Sequence, residues 1–297
     1  MKVLVVIRTF IVVAVLSFAS LCWAGDGAAA HPEMVVTAQW LAEHLKDPKV
    51  VILHVADKKS DYVRGHIPGA KFLLTDDFVE GDDAELPPVD KLKDVFEKLG
   101  ISDDTRVVIY TTAWYPMAGR AYYTLDYLGH GDKTSLLDGG IEHWMLEKRP
   151  VAAQEDTQAT RGHLTPKVHS EVRAQLAEAK QITEDTEKSK ILVDARPEQG
   201  YKAGHLAGST HVYWQETLVD PKQDPVFLSP DKLRALFDSR GIKKDQKVVT
   251  YCVIGLQASH LYFVAKYLGY DVAMYDGSVH EWSMVNNLPM VKGSSPK

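Results

Sequence analysis

Cysteine is almost missing from this chain: among 297 residues there are two, Cys22 and Cys252. A disulfide framework of the kind that staples small secreted domains is therefore excluded. Excess positive charge is absent too. Lys and Arg number 34 against 40 Asp and Glu, a net charge of −6, so the chain carries no electrostatic footprint for nucleic acid. No run of like charge suggests an interaction tail, and no His/Cys/Asp/Glu group has the spacing of metal ligands. Long apolar runs are confined to one place, Phe10 to Ala19, which is shorter than the roughly 20 residues needed to cross a bilayer.

That run has a specific setting. Lys2 and Arg8 precede or flank it, and Cys22-Trp-Ala24 follows with small residues at −3 and −1. Residues 1–24 read as a secretory signal peptide cleaved after Ala24, with Ala28 to Ala30 as a second possible site. A retained anchor is disfavoured by the length of the run, and a lipid-modified Cys22 by the bulk of Leu21 before it. Export to the periplasm or the medium is the expectation, with no membrane anchor after cleavage. Cys22 then leaves with the signal, and Cys252 remains as a lone thiol in an oxidising compartment.

Length favours two domains, and an internal repeat supplies them. Val50 to Leu53 reads as a strand and is followed by Gly65-His66; Ile191 to Asp194 is followed in the same way by Gly204-His205. Lys91 to Gly100 echoes Lys232 to Gly241, both amphipathic helices stopped by glycine. Val107 to Tyr110 matches Val248 to Tyr251, and Asp138-Gly139 with Trp144 matches Asp276-Gly277 with Trp282. The offset stays close to about 140 residues, which marks a duplicated unit. Short apolar strands alternating with helical stretches predict an α/β fold, each unit a mainly parallel sheet flanked by helices. The polar stretch after Pro150 reads as a linker, giving domains over 35–150 and 168–292 joined by 151–167. His66 and His205 read as hydrogen-bonded structural residues, because both copies have one.

Chemistry is expected where the copies differ. Val248 to Tyr251 delivers Cys252 to a short loop with Gly255 at its centre, and apolar positions from Ala258 to Leu268 then repeat at helical spacing. A helix start offers unpaired N–H groups and the positive end of a dipole, which favour a thiolate and predict a lowered thiol pKa. In the first copy Thr111 stands at the cysteine position, His54 replaces Asp194 and Ala56 replaces Arg196. The first copy is therefore expected to be chemically silent and to close one side of the site.

Asp194-Ala-Arg196, Gly204-His-Leu-Ala-Gly-Ser209, Cys252 with Ala258 six residues on, and Asp276-Gly277 with Glu281-Trp282 give the chain a resemblance to the tandem-domain rhodanese family. That family comprises the thiosulfate and 3-mercaptopyruvate sulfurtransferases. The resemblance implies two rhodanese-like domains and a persulfide on Cys252, cradled by the backbone N–H groups of Val253, Ile254, Gly255, Leu256 and Gln257. It implies a substrate contact for Arg196, which on its residues alone also fits as a structural partner of a carboxylate. The implied partners are a small sulfur donor and a thiol or cyanide acceptor, with no cofactor. A non-enzymatic sulfur or selenium carrier serving a redox protein is the alternative. Val253-Ile254 departs from the basic pair of thiosulfate users and the small polar residues of mercaptopyruvate users. Ala258 stands where rhodanese-like phosphatases need an arginine to clamp phosphate, which argues against that activity.

Overall fold

The computed structural model describes residues 29–82, 84–112, 114–153, 160–285 and 288–294. The proposed signal segment lies outside the described residues. Among them, no helix is long and apolar enough to cross a membrane.

The first domain runs β1 (Val35–Val36), α1 (Ala38–His44), β2 (Val50–Ala56), α2 (Lys59–Arg64), β3 (Lys71–Leu74), α3 (Val89–Lys98), β4 (Arg106–Thr111), α4 (Pro116–Tyr127), β5 (Thr134–Leu137) and α5 (Gly140–Leu146). Its sheet has the order β1-β5-β4-β2-β3, every pair parallel. The second domain repeats the plan with β6 (Arg173–Ala174), α6 (Leu176–Glu184), β7 (Lys190–Asp194), α7 (Glu198–Ala203), β8 (His205–Leu206), β9 (Thr210–His211), β10 (Leu218–Asp220), β11 (Asp224–Phe227), α8 (Pro230–Ser239), β12 (Lys247–Tyr251), α9 (Leu256–Tyr267), β13 (Val272–Tyr275), α10 (Ser278–Met284) and β14 (Met290–Val291). Its sheet order, β6-β13-β12-β7-β9, is the same order carried across the duplication, again parallel throughout. Near-continuous apolar strands such as Val50–Ala56 are what a sheet covered on both faces requires.

The expected glycine stops are present. After α3, Gly100 N–H donates to Glu97 O at 3.0 Å and Ile101 N–H to Phe96 O at 3.1 Å; after α8, Gly241 and Ile242 repeat the pattern at 2.9 and 3.1 Å. These paired bonds satisfy carbonyls that each helix end would leave open.

The domains share one core. Outer faces of the two sheets have separate apolar clusters, around Trp144 and around Trp282, whereas the inner cluster runs from Leu53 and Ile109 through α4 and α9 to Val248 and Met274. α4 and α9 cross at Gly119, where a Cβ would stand 2.9 Å from His260 Cα and N. The sequence predicts one apolar stripe on α9, but Ser259, His260, Phe263 and Val264 are buried as well, because its other face packs on the first domain. The linker is tied down too. Arg161 binds Asp94 at 2.8 Å and Glu97 at 2.7 Å, Leu164 is buried, and Lys167 N–H donates to Leu128 O.

Candidate active site

β12 ends at Tyr251 and hands Cys252 to a three-residue turn whose last member, Gly255, is left-handed at φ +79° and begins α9. Cys252 is 1% exposed. Three N–H groups, those of Ala258, Ile254 and Gln257, hydrogen-bond its sulfur and pull the thiol pKa down. Burial pushes it up by more, and Asp194 adds to the rise, so the thiol lies above its ordinary value. This corrects the expectation of a lowered pKa: helix-start amides favour the anion, but full removal from water outweighs them.

The cradle also differs in membership from the expected one. Gly255 N–H points away from the sulfur and donates to Ser278 Oγ at 3.1 Å, as does the N–H of Cys252 itself. Ser278 Oγ in turn donates to Tyr275 O at 2.9 Å. The carbonyls of Cys252 and Val253 accept from Val279 and His280 N–H, at 3.2 and 2.9 Å. The loop is thus fastened along its length to the start of α10, leaving the Val253 side chain 48% exposed at the surface. Ser278 holds φ +50° while fully buried, a conformation that costs a non-glycine residue roughly 1 kcal/mol or more. The repeated Asp-Gly pattern ends at Gly277 and gives no sign of Ser278 beyond one signal, that its counterpart in the first copy, Gly140 at φ +57°, differs in type.

Arg196 stands just past the end of β7; burial works against its charge, but Asp194 above all, with Tyr251 and Cys252, holds the guanidinium pKa above its ordinary value. Its Nε donates to both oxygens of Asp194 at 2.9 and 3.1 Å, and Nη2 donates to Asp194 Oδ2 and to Gly204 O, each at 2.6 Å. Nη1 makes no hydrogen bond among the described residues. Nε and Nη2 are therefore committed to Asp194 and Gly204, and the free N–H groups are those of Nη1. His205 stacks on Tyr201 at 3.7 Å and bonds Tyr201 O at 2.9 Å; His66 does the same on Tyr62 at 3.8 and 2.9 Å. Both are packed structural elements of their turns.

Strand register places His54 opposite Tyr110 as Asp194 stands opposite Tyr251, so Thr111 occupies the cysteine position. This end of the first sheet is filled. Tyr115 donates to Leu137 O at 2.6 Å and its ring lies against Gly140. The β10–β11 hairpin of the second domain covers the rest, with Phe227 N–H on Asp138 Oδ1 at 2.9 Å and the Phe227 ring edge-on to Tyr115. His54 bonds Thr112 Oγ1 at 2.8 Å, its Nδ1 has no partner, and burial together with His66 pushes its pKa down to about 4. Among the described residues no group of three or more His, Cys, Asp or Glu could hold a metal ion.

Comparison with known proteins agrees with this architecture. The rhodanese-like domain family matches residues 37–147 and 175–284. The sulfur carrier protein TtuD of Thermus thermophilus is 35% identical, over 89% of this chain and 98% of its own length. SseA of Mycobacterium tuberculosis, named for a proposed thiosulfate sulfurtransferase activity, is 30% identical over 91% of this chain and 94% of its own. Among solved structures, YnjE superimposes with a TM-score of 0.79 at 23% identity, covering 90% of this chain and 70% of that one. With two matched domains, a shared sheet order and two full-length relatives, the chain belongs to the rhodanese-like family as a tandem-domain member.

Proposed function

We propose that the protein is a sulfurtransferase working through a persulfide on Cys252. The observation that carries this reading is a single thiol at a strand end with three backbone N–H groups aimed at its sulfur, in the copy that also places Asp194 and Arg196 beside it. The Cys252 thiolate attacks the outer sulfur of a donor; the bond between that sulfur and the rest of the donor breaks, and its electron pair leaves with the donor remnant (sulfite, if the donor is thiosulfate). The persulfide anion formed is held by the same N–H groups. An acceptor thiolate or cyanide then attacks the terminal sulfur, the sulfur–sulfur bond breaks, and its electron pair returns to Cys252. Two half-reactions of this kind require ping-pong kinetics. Arg196, through its uncommitted Nη1, is the residue suited to meet an anionic donor. Either thiosulfate or 3-mercaptopyruvate fits this chemistry. The reading extends to export, which rests on the charged, apolar and small-residue pattern of residues 1–24.

A second reading, a sulfur carrier that loads once and releases to a partner protein, is favoured by the near-complete burial of Cys252 and by the carrier name of its relative. Mass spectrometry after exposure to thiosulfate, 3-mercaptopyruvate or polysulfide tests the common step: the chain should gain the mass of one sulfur atom, and Cys252→Ser should not. Full transfer activity in Cys252→Ser would refute both readings. Multiple turnovers with a small acceptor select the enzyme, and a single loading without turnover selects the carrier.

A further inference from the structure

The floor beneath the Cys252 loop carries charge, and half of that charge comes from the other domain. Asp276, just after β13, is 1% exposed. A Cβ added to Gly255 would lie 2.7 Å from Asp276 Oδ1 and 3.1 Å from Arg120 Nη1, so both groups press directly on the loop backbone. Arg120 belongs to α4 of the first domain and is fully buried. Its Nη1 donates to Asp276 Oδ1 and its Nη2 to Ala84 O, both at 2.5 Å. Arg173 completes the group, with Nε 3.5 Å from Asp276 Oδ2 and Nη2 on Glu85 at 2.9 Å. The Tyr123 ring lies under the Arg120 guanidinium.

The duplication offers an internal control. In α9, His260 occupies the place that Arg120 has in α4. It bonds Thr217 Oγ1 at 2.7 Å, and burial keeps it neutral. Asp138, the counterpart of Asp276, accepts the Phe227 N–H from across the interface, and the cation-forming group that acts on it is His143 of its own domain. The Arg120–Asp276 pair therefore has no counterpart at Asp138, and on that side the domains meet instead through His143 and Asp224 at 2.8 Å.

We propose that Arg120, supplied by the domain without a thiol, is a positioning residue of the Cys252 site that neutralises Asp276, so that a sulfur anion forms over a charge-balanced floor. This rests on the sulfur-transfer reading for its consequence, but not for its test. The charges that act on the sulfur directly, Asp194 at the end of β7 and Arg196 just beyond it, are left unchanged by the variants. Without Arg120, a buried carboxylate lies under the loop with Arg173 alone beside it, and a second anion nearby is disfavoured.

The ultraviolet absorbance of the thiolate, titrated in the full-length protein with Cys252→Ser as the blank, reads the effect without any sulfur donor. Arg120→Met should move the Cys252 titration up by about one pH unit or more, Asp276→Asn should move it down, and the double variant should return it close to wild type. A purely structural pair would lower the melting temperature in these variants and leave the titration in place. Unmoved titrations, or shifts of the same sign in both single variants, would overturn the proposal. Should Arg120→Met fail to fold, Asp276→Asn alone decides, since an unmoved or raised titration there is incompatible with it. Failure of the wild-type chain to load sulfur, with these opposed shifts intact, would instead refute the sulfur-transfer reading and leave this one standing.

Discussion

At Thr111 and at Cys252 the same strand and helix are built twice, from sheets of identical strand order. What separates them is mostly what lies on top and underneath. Over Thr111, Tyr115 and the β10–β11 hairpin fill the strand ends; under Cys252, Ser278 withdraws two N–H groups from the loop and Arg120 reaches across to Asp276. A thiol is therefore the last component of such a site. The loop must first be fastened so that the right N–H groups remain, and its floor must carry no uncompensated charge.

The largest test of that contrast exchanges the thiols. Cys252→Ser should abolish sulfur loading, and adding Thr111→Cys should not bring it back, as measured by mass after donor exposure. Thr111 has no arginine at Ala56, and Asp138 below it has no arginine partner among the described residues. A persulfide on the introduced cysteine would show that the loop alone is sufficient.

Stability provides the next comparison, because each half buries a neutral histidine. His54 has its pKa pushed down to about 4 and His260 to about 3, both chiefly by burial. In the unfolded chain each titrates near 6.5. Between those values the unfolded state binds protons that the folded state refuses, so stability present above about pH 6.5 is lost as pH falls toward 4. At pH 4.5, about two units below 6.5, the loss per residue is at most about 3 kcal/mol. Denaturant melts at pH 7 and pH 4.5 should show His54→Gln and His260→Gln each with a smaller acid-dependent loss than wild type. An identical loss in all three would mean that neither histidine stays neutral in the fold.

These two halves also show what a sequence discloses. The duplication, the parallel α/β plan, the glycine stops after Lys98 and near Arg240, and the position of the thiol all follow from local patterns. Ser278 was not legible, since its role depends on a left-handed backbone and on which N–H groups reach its oxygen. Arg120 was hidden further, being 156 residues from its partner and in the copy that reads as silent. The upward push on the thiol has the same origin: loop composition suggests an anion site, but burial by two domains is a property of the assembled core.

Ser278 gives a smaller and cleaner test. Ser278→Gly removes the hydroxyl and also relieves the positive φ, so the two effects on stability offset in part while sulfur transfer falls. Leaving the Cys252 and Gly255 N–H groups without an acceptor costs about 1–3 kcal/mol in a rigid loop, or is met by the loop shifting. Either outcome weakens the cradle, and kcat should drop roughly tenfold or more. Unchanged kcat in Ser278→Gly would reduce Ser278 to a turn residue of the same kind as Gly140.

The mildest change lies at the surface. Val253 follows the thiol directly and is 48% exposed, at a position where thiosulfate users of this family carry a cation. The N–H groups around the sulfur neutralise one developing charge, but thiosulfate carries two. Arg196 is already engaged by Asp194 along one edge, so its attraction for a second anion is reduced. Wild type is accordingly expected to use thiosulfate with a high KM. Val253→Arg places a guanidinium at the rim without disturbing the loop, whose carbonyl at this residue is held by His280 N–H through the backbone. An exposed charge contributes about 1 kcal/mol or less. The expected gain in kcat/KM for thiosulfate is therefore about fivefold, mostly through KM, fading at high salt as the pair is screened. No gain at low ionic strength would place the donor's second charge elsewhere, against Arg196 and away from the rim.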